Sequence, residues 1–356
     1  MTIIFPYRNR ELDRIKKCFD SLAVQTNQNF DIIFVDYGSE PSIANQVKTY
    51  VSQFPNLKYI YSYCQFQPWS RAKAINIGIK AAKTVYVFIT DIDMIFREDF
   101  VEILHEIKNP KQSVYFKVGF LSEAASKKQT QFENYKISFE SGKGAQGLSL
   151  FPTKALNDIC GFDEFLHFWG AEDEDIHNRL MNIGLEEIFY NSEILMLHQW
   201  HKNYRRSESK DLSVDLRINN ITRINDERLK FNKNNSVKIV NSAWGRLISK
   251  TEFDSFNSFE NLEKIVNIQE KINHFLFSEL PNIGTKVIAV KFEIDDFQHS
   301  FKFYIKKILR KTVPKYYSLK EINDKVLLHI ISFYHNFNYI YKVSDDKKSI
   351  QFIIQK

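Results

Sequence analysis

The sequence predicts an α/β protein built on a mostly parallel sheet with flanking helices, followed by a smaller α+β segment. Three observations predict it. Strand-like and helix-like periodicities alternate over residues 2–90, residues 85–90 form an unbroken apolar run, and polar clusters directly follow three of the strand-like runs. Alternation of this kind calls for parallel strands joined by helical crossovers. A continuous apolar strand is one buried on both faces. Open sheets of this kind bind ligands at the carboxyl ends of their strands.

The elements follow in order. Residues 2–5 are a β-branched and aromatic run stopped by Pro6, and the helical spacing of Leu12, Ile15, Phe19 and Leu22 predicts a helix over 11–24. A second strand over 31–35 closes on Asp36-Tyr37-Gly38-Ser39, a helix is expected near 43–54, and 58–61 reads as a third strand. Ala72, Ile75 and Ile79 share one face of a helix over 71–82, ahead of the strand 85–90. The middle is less regular: strands over 113–118 and 147–151, a polar loop over 122–144, a helix over 172–183, and a short strand over 194–197 leading to His198-Gln199-Trp200-His201. Beyond 203 the texture turns to Lys, Asn, Phe and Ile. A helix near 259–277, strands over 286–292 and 301–305, an apolar run over 327–334 and a strand over 350–354 make an α+β appendage. The expected division is therefore 1–205, a linker or packing segment over 206–250, and 251–356.

Composition bounds the class. With 356 residues, 44% of them hydrophobic, the chain can bury one large core or two smaller ones, and a disordered or fibrous protein is excluded. The net charge of +6 suits phosphorylated small molecules, anionic lipid or nucleic acid and selects none of them. Cys18, Cys64 and Cys160 are far apart and form no CxxC pair, which argues against a zinc site or a disulfide framework. No uninterrupted apolar run reaches membrane-spanning length. A soluble or membrane-surface protein on the cytoplasmic side is expected.

Three clusters carry chemistry. Asp91-Ile92-Asp93 follows the buried strand; in an extended segment alternate side chains share a face, so both carboxylates could address one Mg2+ or Mn2+ ion, the alternative being a solvated turn. Glu172-Asp173-Glu174-Asp175 stands at a predicted helix start after Trp169-Gly170-Ala171. The helix macrodipole there favours ionised carboxylates, the form a general base requires, and Trp169 offers an aromatic surface for a sugar. Ordinary capping would explain one or two of those acids, less readily four. His198 and His201 fit two metal ligands, one, or none.

In combination these segments resemble known enzymes. Phe5-Pro6-Tyr7-Arg8-Asn9-Arg10, Ser70 through Gly78, Phe88-Ile89-Thr90-Asp91-Ile92-Asp93 and Trp169 through Leu180 resemble, in order and spacing, the β-1,4-galactosyltransferase family, and are similar to bacterial chondroitin-polymerase-type family 2 transferases. The resemblance runs to about His201. It implies a GT-A (Rossmann-like) fold and an inverting, Mn2+- or Mg2+-dependent transfer of a hexose or N-acetylhexosamine from a UDP-sugar to a glycan or glycolipid acceptor; the Lys-, Asn- and Ile-rich texture points to a bacterium and so to surface polysaccharide synthesis. Pro6, Tyr7, Arg8, Arg10 and Asp36 would line the nucleotide pocket, with Arg71 at the diphosphate and a lysine such as Lys73 adding to it. Asp93, with Asp91 and His198, would hold the metal, His201 being the second choice of histidine. Glu172 and Asp173 would meet the acceptor hydroxyl, Asp173 as base, and Trp169 would ride a loop over the donor. Ala171 departs from that pattern by replacing a glycine, which would stiffen the loop. Nucleic acid is not an expected partner. A basic stretch over 305–313 suits contact with a membrane surface or a solvated face. The rival readings are a non-catalytic nucleotide- or glycan-binding module, a retaining transferase and a nucleotidyltransferase; the last lacks its glycine-rich phosphate loop here.

Overall fold

The computed structural model describes residues 1–201, 210–256, 259, 261–284 and 286–356. They fall into two compact units. The first takes in the described residues of Met1–Gln65, Trp69–Tyr204 and Thr222–Leu247, and the second those of Phe66–Pro68, Arg205–Ile221 and Ile248–Lys356. The boundary expected at 205 lies outside the described residues, and the segment expected as a linker divides between the units.

In the first unit the order is β1 (Thr2–Tyr7), α1 (Leu12–Ala23), β2 (Asp31–Tyr37), α2 (Pro41–Val51), β3 (Leu57–Ser62), α3 (Arg71–Ala81), β4 (Tyr86–Ile89), β5 (Met94–Phe96), α4 (Phe100–Ile107), β6 (Gln112–Phe116), β7 (Gly119–Leu121), α5 (Glu123–Ser126), β8 (Ile137–Glu140), β9 (Ser149–Pro152), α6 (Thr153–Asp158), α7 (Glu172–Met181), β10 (Glu186–Tyr190), β11 (Met196–His198) and α8 (Ile221–Asn234). The main sheet runs β10-β6-β9-β4-β1-β2-β3. It is parallel except at β9, which pairs antiparallel with both β4 and β6. Helix α1 turns Ile15, Cys18, Phe19 and Leu22 inward, where Phe19 meets Phe5, Phe34 and Phe54. Burying each such ring contributes roughly 1.5–3 kcal/mol. A second sheet, β5-β11-β7-β8, sets β11 antiparallel to β5 and opposes His198 to Met94.

The second unit holds α9 (Lys250–Asp254), β12 (Glu263–Val266), α10 (Gln269–His274), α11 (Leu280–Asn282), β13 (Val287–Glu293), α12 (Phe301–Ile308), α13 (Leu319–Phe333), β14 (Asn338–Val343) and β15 (Ser349–Gln355). Its sheet order is β12-β13-β15-β14, with α13 burying Ile322, Val326, Ile330 and Ile331.

Three expectations need correction. The loop 122–144 contains α5 and β8, an edge strand paired with β7 whose mostly exposed residues give little hydrophobic signal. The helix expected over 259–277 is a strand, β12, then α10 and a π-helical turn at Phe275–Glu279. Residues 301–305 are helical: their aromatic and β-branched side chains imitate a strand, but the Ser300 hydroxyl accepts the Phe303 N–H at 3.2 Å and starts α12.

Candidate functional site

The site forms where β1, β2 and β4 end. Gly38 turns the chain out of β2 with φ +74°, and a Cβ there would come within 2.5 Å of the Gln65 amide nitrogen, so only glycine fits. Beneath this turn Asp36 is fully buried; it accepts the Ser39 N–H at 2.8 Å and the Tyr59 hydroxyl at 2.7 Å. Burial raises its pKa, opposed by those hydrogen bonds. With no exposed surface, Asp36 braces the turn from beneath. Pro6 and Tyr7 are buried in β1, the Tyr7 hydroxyl donating to the Arg10 carbonyl at 2.7 Å. Arg8 is half-buried and donates to the Gln65 carbonyl at 2.6 Å, and Arg10 is exposed.

Arg71 organises the acids. It opens α3, whose Ser70 cap accepts the Lys73 N–H at 3.2 Å. Its Nε donates to Asp91 Oδ1 at 2.9 Å, Nη1 to Asp173 Oδ1 at 2.7 Å and Nη2 to the Gly147 carbonyl at 2.8 Å. Glu172 Oε1 lies 3.9 Å from Nη1. Lys73 instead faces the interior, where burial pulls its pKa down against the opposing pull of Glu164. It stands outside the Arg71 cluster of carboxylates. Gly147 is a member of the site that the sequence did not disclose. A Cβ on it would meet Asp173 Oδ2 at 3.0 Å.

The four acids of α7 separate by face. Glu172 and Asp173 turn to Arg71, Glu174 reaches Lys233 at 3.5 Å, and Asp175 is buried against Arg179 and Asn232, both at 2.7 Å. At Glu172 and Asp173 burial works against the ionisation that the helix N-terminus was expected to favour. Burial first, and then the Asp173 charge, push Glu172 up to about 7, and burial also raises Asp173 against the lowering effect of Arg71. Desolvation outweighs a half-charge at the helix end.

Asp93 belongs to a different cluster. Its Oδ1 lies 3.6 Å from His198 Nε2 and its Oδ2 3.4 Å from His201 Nε2. These three residues offer ligand atoms within 4.8 Å of one another. Asp93 Oδ1 is buried without a hydrogen-bond partner, a costly state that a cation would relieve. Burial would raise the pKa of Asp93, but His198, His201 and Arg10 together hold it low. His198 stacks on Phe120 at 4.8 Å, and the Gln199 N–H donates to the Asp93 carbonyl at 2.8 Å, fixing the His-x-x-His turn beside the aspartate. Both histidines are thus brought in. Asp91, whose side chain is 40% exposed, is not part of this group among the described residues. The triplet is a turn rather than an extended segment, because Ile92 is drawn into the core, and so its carboxylates diverge. They remain within about 7.6 Å at Cα, the reach of two peptide units, so the two clusters share one turn.

Trp169 is 38% exposed on a loop held in unusual conformations: Phe168, Gly170 and Ala171 all have positive φ. Asn225 Nδ2, fully buried on α8, donates to the carbonyls of His167, Trp169 and Gly170 at 2.9, 3.1 and 3.3 Å. Also from α8, Arg228 pairs with Asp163 at 2.8 Å. No motif pointed to Asn225; a polar residue on the inward face of an amphipathic helix was the one available signal.

Residues 2–148 match Glycosyl transferase family 2, and residues 127–202 match the N-terminal domain of galactosyltransferase. Mouse chondroitin sulfate synthase 3 is 24% identical over 208 residues, covering 53% of this chain and 22% of that protein. Glycosyltransferase GlyG of Streptococcus pneumoniae is 31% identical over 90 residues, covering 25% of this chain and 29% of its own. The aligned region therefore spans less than a third of either relative. Among solved structures, GalNAc-T7 with UDP, GalNAc and Mn2+ superposes with a TM-score of 0.44 at 13% identity, over 57% of this chain and 43% of that one. No helix among the described residues is long and apolar enough to cross a membrane.

Proposed function

From the premise that residues 2–202 are a glycosyltransferase domain of the GT-A fold, we propose that the protein transfers a hexose or N-acetylhexosamine from a UDP-sugar to a hydroxyl of a glycan or glycolipid, with inversion, in the cytoplasmic assembly of a bacterial surface polysaccharide. The observation that carries this is the meeting of Arg71 with Asp91 and Asp173 on the same turn as the Asp93–His198–His201 group.

The nucleoside docks at the ends of β1 and β2, against Pro6, Tyr7, Arg8, Arg10 and Asp36. Arg71 is already aimed at the site by three anionic or carbonyl partners. A diphosphate can draw it from Asp173, since phosphate oxygens match a guanidinium fork at least as well as carboxylates do. That exchange leaves Asp173 without its cation and makes it the stronger base. The acceptor hydroxyl then attacks the anomeric carbon. The new C–O bond forms as the bond to UDP breaks, and the hydroxyl proton passes to Asp173. Glu172, partly protonated near neutral pH, donates a hydrogen bond to the acceptor. Trp169 covers the pair and keeps out water that would hydrolyse the donor. A divalent ion on Asp93, His198 and His201 would supply Lewis-acid stabilisation of the departing diphosphate; the mixed nitrogen and oxygen donors favour Mn2+ over Mg2+.

The test is UDP release from a panel of UDP-sugars, with and without acceptor glycans and with Mn2+ added or withheld. Asp173→Asn should retain donor binding and lose transfer on the order of 10²–10⁴-fold. A variant that transfers at the wild-type rate would remove Asp173 as base. A product of unchanged anomeric configuration would assign a retaining reaction.

A further inference from the structure

Helix α12 in the second unit has its amphipathic faces reversed. Phe301 is 80% exposed and Ile308 79%, and Tyr304, Ile305 and Leu309 are exposed as well. At 100° per residue these five side chains fall within an arc of about 140°. Lys302 and Lys306 border one side of that arc and Lys307 the other; Arg310 and Lys311 follow at the helix end. The helix is held to its unit by its opposite face. The Phe303 ring packs 5.8 Å from both Phe297 and Tyr316, and Lys306 Nζ lies 5.6 Å over the Phe297 ring. Residues 301–311 carry five basic side chains and no acidic one.

An outward apolar stripe flanked by long cationic side chains has the chemistry of a helix lying in a lipid headgroup layer. The rings and branched chains sink to the acyl boundary while the lysines reach phosphates. A second copy of this chain is a poor occupant, since two-fold pairing would bring two sets of five positive charges together. We propose that α12 docks the protein on an anionic membrane surface, inserting Phe301, Tyr304, Ile305, Ile308 and Leu309. This concerns the second unit alone and stands or falls separately from the transferase reading.

The experiment is co-sedimentation of the 356-residue chain with vesicles of phosphatidylcholine alone, or of phosphatidylcholine and phosphatidylglycerol in equal parts, at low salt. Binding is expected to the anionic vesicles only. Lys307→Gln/Arg310→Gln/Lys311→Gln should weaken it by about fivefold per charge, on the order of a hundredfold in all. Phe301→Ser/Ile308→Ser keeps every charge and should weaken it at least roughly tenfold. All five positions are solvent-exposed, so unchanged melting curves are expected for both variants. Absence of binding to anionic vesicles would overturn the proposal, as would binding that neither variant weakens. Sensitivity to the charge variant alone would also overturn it, because nothing would then be inserted. Self-association abolished by Phe301→Ser/Ile308→Ser, without vesicle binding, would assign the face to a second copy.

Discussion

Arg71 holds together carboxylates that would otherwise repel. Asp91, Glu172 and Asp173 all face it, and burial makes Glu172 and Asp173 costly to ionise without it. Glu172 records this balance. Its folded pKa of about 7 lies above the ordinary 4.5, so the folded state binds the extra proton. The stability gained from neutral Glu172 is present in full below about 4.5 and is lost as pH rises through about 7. Glu172→Gln should remove that slope from denaturant-midpoint measurements across the window and raise stability at pH 8 by on the order of 1–3 kcal/mol. Equal slopes for both proteins would contradict it. Ala171 makes a second residue-scale case. Its φ of 77° places a Cβ in the left-handed region, at a cost of about 1–2 kcal/mol. Ala171→Gly should therefore stabilise the fold by up to about 1 kcal/mol once the added freedom of the unfolded chain is subtracted, read as a raised thermal midpoint. Ala171→Val, β-branched at the same φ, should lower it.

Two elements position the site without supplying its chemistry. The antiparallel β5–β11 pair sets His198 opposite Met94, one residue beyond Asp93, so the proposed ion depends on a strand register rather than on a local motif. Helix α8 clips the Trp169 loop through a single Asn225 amide group shared among three carbonyls. Asn225→Ala leaves those carbonyls short of a donor and should cost about 1–3 kcal/mol. Hydrogen exchange should quicken at residues 167–171, and UDP-sugar hydrolysis should rise relative to transfer as the loop covers the donor less well. Unaltered exchange there would mean that α8 does not restrain the loop. Gly147→Val would drive side-chain carbon toward Asp173 and Arg71 and should reduce transfer more than Asn225→Ala does.

At the scale of the whole molecule, each unit has its own sheet and its own buried cluster. An ion bound by Asp93, His198 and His201 would stabilise the unit that contains those residues, by about 2.7 kcal/mol when present at a hundredfold excess over its dissociation constant. Calorimetry with Mn2+ should therefore move the melting of that unit upward. EDTA should reverse the shift, and His198→Ala should abolish it. A shift that His198→Ala leaves intact would deny that the ion acts through this site.

The sequence alone determined the run of strands and helices through residue 90 and the carboxyl-end location of the polar clusters, because periodicity and turn chemistry are local properties. It also marked Asp93, Asp173, Arg71 and both histidines as chemistry-bearing, through residue types in a recognisable order. Only the tertiary structure decided which partners those side chains take. Asp91 goes to Arg71 while Asp93 goes to the histidines; four consecutive acids separate into two at the site, one ion-paired outside it and one buried with Arg179; and Asn225, more than fifty residues away, restrains the Trp169 loop. Tertiary structure likewise made 301–308 a helix with its apolar face outward. The reason is physical. A one-dimensional pattern records which residues repeat, whereas ion pairing, desolvation and the facing of a helix depend on segments that meet only when the chain has folded.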